Sequence, residues 1–355
     1  MGGKKRQANF ELLRVIAMLM VVTMHYLIKG NVAVSMAENG SSVNLFAWFL
    51  ESLCIVAVNV YVLISGYFLV ESEWKLSHLW HLLIQIWCYS MGVPLICLAL
   101  GVGDVTQWSI YDWAVAVFPI QMEHYWFATA YVVMYLLVPV LSIAVKKMNQ
   151  KQMGMLIGVL LLFFSVGKSI IPILIPTDKY GYDFGWFICL FLIAGYIRLY
   201  GVKILDNKRK ALFAYLIVVA LIWGVSSSLG WLTREKGLPL SYAMDMVHCY
   251  NHLLVLLASV ALFCSFMYLR LPKGNFSKVV CGVAPYTFGV YLLHENIAIR
   301  SLWQSWFGVE NVRESFRFFP HMLVTVLVVF VIGILADYLR SYCFGKIGNI
   351  FTKNN

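Results

Sequence analysis

The sequence predicts an all-α polytopic membrane protein with about ten transmembrane helices and both termini in the cytoplasm, and three observations carry that prediction. Hydrophobic residues make up 61% of the 355-residue chain and charged residues only 12%, with a mean hydropathy of +0.78. Apolar runs of about 20 residues, each long enough to cross about 30 Å of hydrocarbon, recur from end to end. The basic residues, finally, are shared unevenly between the loops.

In chain order the runs fall near 10–29, 45–70, 80–100, 125–145, 153–173, 184–200, 211–231, 251–270, 284–303 and 320–340. The sixth is short and the ninth carries polar residues. An even number of spans puts both termini on one side. The loops of that side hold 18 of the 27 lysines and arginines, among them Lys4, Lys5, Arg6, Lys75, Lys146, Lys147, Lys203, Lys208, Arg209, Lys210, Lys346 and Lys353. The other side holds six: Lys29, Lys179, Arg234, Lys236, Arg313 and Arg317. Positive residues favour cytoplasmic loops, so the first side is the inner one. This bias and anionic lipid headgroups account for the net charge of +10, which gives no reason to invoke nucleic acid.

Residues 1–355 read as a single integral-membrane domain with no soluble appended domain. Basic residues before the first run and Ala33, Ser35 and Ala37 after it imitate a secretory signal. That run is too long for a signal core and contains Glu11 and Arg14, so no cleavage is expected. The eight cysteines form no CxxC pair and read as free thiols. No zinc or haem spacing, Walker loop or GxGxxG occurs, so neither a metal nor a permanently bound cofactor is expected. Gly154 and Gly158 form a GxxxG read as helix packing.

The chemistry starts in the first span. Ionisable residues inside a membrane are rare and mark substrates, proton paths or partner charges. Arg14 and His25 are separated by ten residues. Eleven helical steps leave them about 20° apart around the axis and about 16 Å apart along it, so they line one path. Glu11 lies one turn before Arg14 on the same stripe and is placed to pair with it.

At these residues the chain resembles the acyltransferase 3 family, bacterial multi-pass membrane O-acyltransferases. The resemblance rests on FELLRVIAMLMVVTMHY with its Arg-x10-His, VNVYVLISGYFLV, HYWFATAYVVMYLLVPVL and TFGVYLLHENIAIR, and spans about residues 9–340. It implies transfer of an acyl group, usually acetyl, from cytoplasmic acetyl-CoA to an extracytoplasmic glycan acceptor, a cell-surface polysaccharide or a lipid-linked precursor. It also implies residence in the bacterial cytoplasmic membrane, in contact with the lipid bilayer. In the family pattern the first-span histidine, here His25, is the general base or acyl acceptor, and Arg14 holds the donor or polarises the site. An imidazole suits this work because it titrates near neutral pH and returns the proton it takes. With no soluble domain attached, the chain completes the transfer itself or works with a separate envelope-biosynthesis protein.

The remaining polar residues form two groups by depth. Toward the outer side stand Glu123 and His124 before Trp126, then Asp245, His248, Asn251 and His252, then His294 and Glu295; the first and last sets are expected to support His25 or hold the acceptor. Arg300 is an alternative partner for His294 or Glu295. Trp108, Trp113, Trp126, Trp231, Trp303 and Trp306 lie in or beside the same outer regions, where aromatic faces can stack on sugar rings, and most read as interfacial belt residues. Toward the cytoplasm, Ser65, Gly66 and Tyr67 end the second span, with Gly66 placed to let backbone approach a ligand. Lys75, His78 and His81 follow. Many family members carry an Arg-x-x-Arg in this loop, whereas this chain reads ESEWKLSHLWHLL. Lys75 then takes the donor-side role without the bidentate fork of arginine.

Two other function classes stay open on the residues alone. A solute or proton-coupled carrier would use Arg14, Lys168 and His25 as a pathway, although the two halves show no inverted repeat. A nonenzymatic scaffold would fit the missing arginine pair.

Overall fold

The computed structural model describes residues 6–171 and 179–353, with side chains described as far as Phe344. Lys4, Lys5, residues 172–173 of the fifth run and the side chains of Lys346 and Lys353 lie outside the described residues. The described chain is helical with no strand. Its α-helices are α1 (Ala8–Lys29), α2 (Ser42–Cys54), α3 (Ala57–Leu69), α4 (Leu76–Leu100), α5 (Ile110–Val117), α6 (Trp126–Lys147), α7 (Gln150–Leu161) and α8 (Gly167–Ile170). The second half adds α9 (Phe184–Tyr200), α10 (Lys208–Lys236), α11 (Ser241–Met246), α12 (Leu253–Met267), α13 (Asn275–Val283), α14 (Thr287–His294), α15 (Trp303–Trp306) and α16 (Phe318–Lys353).

Among the described residues, eight helical stretches are long and apolar enough to cross a membrane, and two shorter apolar helices, Phe184–Tyr200 and Leu253–Met267, accompany them. Each run expected from the sequence meets one of these ten elements. The protein is therefore an all-α, multi-pass membrane protein. Its outer surface agrees: Leu212, Phe213, Leu216 and Ile217 on α10 and Leu323, Val324 and Leu327 on α16 are exposed apolar side chains, the face that lipid covers.

Two boundaries differ from the sequence reading. The second run breaks at Ile55 and Val56 into α2 and α3. The ninth was expected over 284–303, but the membrane stretch is Asn275–His294 and the chain turns from Glu295 onward. Asn296 causes the turn: its amide donates to the Tyr89 carbonyl (3.0 Å) and to Tyr125 Oη (2.8 Å), while its Oδ1 accepts from the Ala298 amide (3.0 Å). Buried polar groups need partners, and Asn296 finds them by leaving helical geometry. The GxxxG expectation also fails in part, since a Cβ at Gly158 would meet nothing within 4 Å and one at Gly154 only Tyr196. None of the eight cysteines is in a disulfide.

The first helix is the hub. It packs against α2, α3, α12, α13, α14 and α16, burying Phe10, Leu13, Ala17, Val22, Tyr26 and Leu27. With apolar neighbours on most sides, its Arg14 and His25 open onto interior space rather than lipid. On its far flank, Asn59 of α3 is fully buried and ties three elements together. Its amide donates to the Tyr250 carbonyl (2.8 Å) and Ser259 Oγ (3.2 Å), and its Oδ1 accepts from Trp186 Nε1 (3.0 Å).

Asn59→Val removes the amide and orphans the Trp186 indole Nε1–H and the Tyr250 carbonyl, which costs roughly 1–3 kcal/mol each when buried. The expected result is a clear fall in the thermal unfolding midpoint of the purified protein in detergent. An unchanged midpoint would show that this junction does not hold α3, α9 and α12 together.

Candidate active site

His25 and Lys29 are four residues apart and share one face of the last turn of α1. His25 Nδ1 lies 2.9 Å from His294 Nε2 and 3.2 Å from Glu295 Oε1. His294 Nδ1 is 2.6 Å from the Val290 carbonyl. A carbonyl only accepts, so the network assigns the proton of His294 to Nδ1 and leaves Nε2 with a lone pair. His25 Nδ1–H donates to that lone pair. The neutral His25 ring then keeps Nε2 as its free basic nitrogen, and no hydrogen bond engages that atom among the described residues.

Glu295 is buried, and a carboxylate there needs a counter-charge. The Lys29 ammonium supplies it as a direct ion pair. Sequence reasoning offered Arg300 for this part and counted Lys29 only as a loop charge; the structure leaves Arg300 exposed. The signal that would have found Lys29 is its spacing, one turn beyond His25 on the same stripe.

His25 lines a narrow cavity of about 30 Å³ together with Val21, Tyr61, Trp126, Tyr250 and Tyr291. That is room for a water or two. A wider cavity of about 330 Å³ is lined by Arg6, Arg14, Ser65, Gln85, Tyr131 and Thr287. Tyr61, Phe127 and Phe288 line both, so the two spaces share walls. Tyr61 is fixed in place by donating to the Arg14 carbonyl at 2.8 Å. Arg14 pairs with Glu11 at 2.5 Å as the spacing predicted, and Arg6 lies 3.9 Å from the same carboxylate. Two guanidinium groups against one carboxylate leave this cavity with a net positive charge.

The other expected site residues divide. Trp126 does face His25, stacking on Tyr250 at 5.6 Å between centroids and meeting Tyr182 at 4.4 Å. Burial pushes the Tyr182 phenol up to about 12, its hydrogen bond with Tyr250 opposing that shift. His124 is a structural pin instead. Its Nδ1 donates to Ser90 Oγ (2.8 Å), whose own proton goes to the Ala116 carbonyl (2.7 Å), and its Nε2 accepts from the Ile297 amide (3.2 Å). Burial lowers it to about 4, so it stays neutral near pH 7. Glu123 is exposed on a turn with φ of 50° and lines neither cavity.

On the Arg14 side only Ser65 reaches the cavity. Gly66 serves packing: a Cβ there would meet Ala194 Cβ at 2.9 Å and Phe191 Cα at 3.1 Å, so the close approach is between α3 and α9. Tyr67 packs on Phe10 and Phe263 and carries the Arg198 guanidinium 4.7 Å above its ring. Lys75, His78 and His81 are exposed outside the cavity. Of the group from Asp245 to His252, Asp245 is exposed, His248 Nε2 bonds Ser52 Oγ (3.1 Å), Asn251 donates to the Phe164 carbonyl (3.1 Å) and His252 caps α12. None of the four lines either cavity. The intervening Tyr250 does. Lys168 is buried 5.2 Å from the Tyr180 ring and also lines neither, which removes it from any path through Arg14 and His25.

His25, His294 and Glu295 place three ligand atoms within 4.8 Å of one another, a spacing that a cation would tolerate. The occupied valences fit proton handling better. The two rings are joined by a hydrogen bond, and the carboxylate already carries the Lys29 ammonium.

A family model described as an acyltransferase domain matches residues 7–338, nearly the whole chain. No curated protein matches the chain, and no solved structure does.

If the histidine pair and Glu295 hold a proton rather than a cation, prolonged treatment with EDTA leaves the protein's catalytic rate unchanged. Inactivation reversed by adding Zn²⁺ would establish the trio as a metal centre.

Proposed function

The chain belongs to this acyltransferase family, and on that premise we propose that it is an O-acetyltransferase of the bacterial cytoplasmic membrane. It takes acetyl from cytoplasmic acetyl-CoA and delivers it to a hydroxyl of a cell-surface polysaccharide or lipid-linked glycan precursor. The observation that carries this reading is the unengaged His25 Nε2, on a ring lining a cavity that shares walls with the one holding Arg14.

The positively charged space around Arg6 and Arg14 suits the phosphates of coenzyme A, which guanidinium groups engage by paired hydrogen bonds. From there the pantetheine arm, a thin flexible chain, extends past Tyr61, Phe127 and Phe288 until its thioester meets His25. The narrow section admits the arm and excludes the nucleotide. His25 Nε2 removes the proton of the acceptor hydroxyl as its oxygen attacks the acetyl carbonyl, the carbon–sulfur bond breaks, and the proton passes to the departing thiolate. Through its Nδ1–H, His25 is steadied by His294 and Glu295 as charge develops on the ring. The same free nitrogen serves the relay form of the reaction, in which Nε2 attacks the thioester first and an acetyl-imidazole passes the group on. Trp126 and Tyr250 offer aromatic faces on which a sugar ring can lie.

The test is ester-linked acetyl on envelope glycans in three strains: one lacking the protein, one restored with wild type, one restored with equally expressed His25→Ala. Loss in the deletion and in the mutant is the expected result, with a rate deficit of at least about 100-fold for removal of a general base. Normal acetylation with His25→Ala would remove this residue from the reaction.

A further inference from the structure

The largest of these cavities, about 510 Å³, lies outside the Arg14–His25 path and is lined by Asn31, Asn39, Ser41, Val43, Arg313 and Glu314, among others. We propose that it is a glycan subsite that holds the acceptor chain at a distance from the sugar being acetylated. The inference rests on the acceptor reading above and adds where, and by which side chains, that acceptor is gripped.

Position is the first argument. Asn31 follows His25 by six residues, on the order of 9 Å at helical rise. The segment that follows α14 joins the two places. It begins at Glu295 beside His25, its Gln304 amide reaches the His25 carbonyl at 3.4 Å, and its Val309 sits where a Cβ on Gly30 would touch it at 2.8 Å. It arrives at the cavity with Arg313 and Glu314. One stretch of chain therefore spans from the reacting nitrogen to the cavity.

Rigidity is the second. Asn44, also in the lining, is buried and fully used: its Oδ1 accepts from the Val34 amide (3.0 Å), and its amide donates to the Val34 carbonyl (3.1 Å) and the Asn39 carbonyl (2.5 Å). Trp48 Nε1 donates to the same Val34 carbonyl at 2.7 Å. These bonds hold the α1–α2 loop open in one shape, as a preorganised site requires.

The third argument is chemical. Asn39 Oδ1 accepts from the Ser41 amide (2.9 Å) and Ser41 Oγ accepts from the Asn44 amide (3.3 Å), which leaves the Asn39 amide hydrogens and the Ser41 hydroxyl proton to offer. Asn31 makes no side-chain hydrogen bond among the described residues, and Arg313 and Glu314 are separated by 3.9 Å, beyond hydrogen-bond reach. The lining thus presents donors and acceptors of both charge signs over an apolar floor of Val32, Val34 and Val43. A free anion or cation would be opposed by one of the two charges. A neutral polyhydroxylated ligand, with adjacent hydroxyls for the guanidinium and the carboxylate and C–H faces for the valines, matches all of them. The volume falls within the usual range for ligand sites, about 300–1,000 Å³.

The probe is the envelope polysaccharide extracted from the organism itself, titrated onto the full-length protein in lipid nanodiscs and read by surface plasmon resonance. Arg313→Gln and Asn31→Gly each weaken its binding about tenfold. Asn31 has φ of 52°, a conformation glycine adopts without strain, so Asn31→Gly removes the side chain and keeps the loop. Acetyl-CoA binding in the same preparations reports an intact fold. Polysaccharide binding at wild-type strength in both variants, or no binding by wild type, would overturn the subsite. So would a parallel loss of acetyl-CoA binding. Arg313-dependent binding without any acetyl transfer would instead sink the reaction and leave the subsite standing.

Discussion

Inside an apolar helix bundle no water stands by to satisfy a spare polar atom, and every feature around His25 follows from that constraint. The Val290 carbonyl fixes the proton of His294, His294 fixes the proton of His25, and Glu295 braces His25 while Lys29 neutralises Glu295. These bonds leave His25 Nε2 unengaged, on a ring that lines the cavity. The break in helix at Asn296 belongs to the same logic. Glu295 closes the last helical turn with its amide on the Tyr291 carbonyl (3.0 Å), and the chain leaves helix only after it, at Asn296.

The central position of α1 converts this local chemistry into a path. Because six helices surround it, its ionisable stripe opens onto protein-lined space, with a cationic chamber at Arg14 and a narrow aromatic one at His25. Tyr61, Phe127 and Phe288 stand as walls of both spaces. On the proposed function, the wide charged space receives the bulky anionic end of the donor and the narrow space its slender end. Lys168, which a carrier reading would have enlisted, stands apart against Tyr180.

Much of this was legible in the sequence because membrane physics writes it there. Runs of about 20 apolar residues mark spans whatever their neighbours do, and the Arg14–His25 spacing fixes a shared helix face by geometry alone. Glu11 with Arg14 followed from the same rule. What failed to show was anything set by a partner on another helix. His124 looked like His294 in sequence, a histidine beside a glutamate near the outer side, yet one is saturated by Ser90 and Ile297 and the other meets His25. Gly66 read as a ligand approach until α9 was seen packed against it, and Lys75 read as a donor contact until the cavity was found to be lined by Arg6. The end of the ninth span was missed because Asn296 takes its partners from Tyr89 and Tyr125, more than 170 residues away.

The most direct measurement of a path joining the two faces uses sealed inside-out membrane vesicles, with acetyl-labelled coenzyme A outside and the glycan acceptor within. Labelled ester on the enclosed glycan with wild-type protein, absent with Arg14→Ala and with His25→Ala, is the expected result. Ester formed on the donor's own side, or label entering the lumen as free acetate without ester, would contradict it.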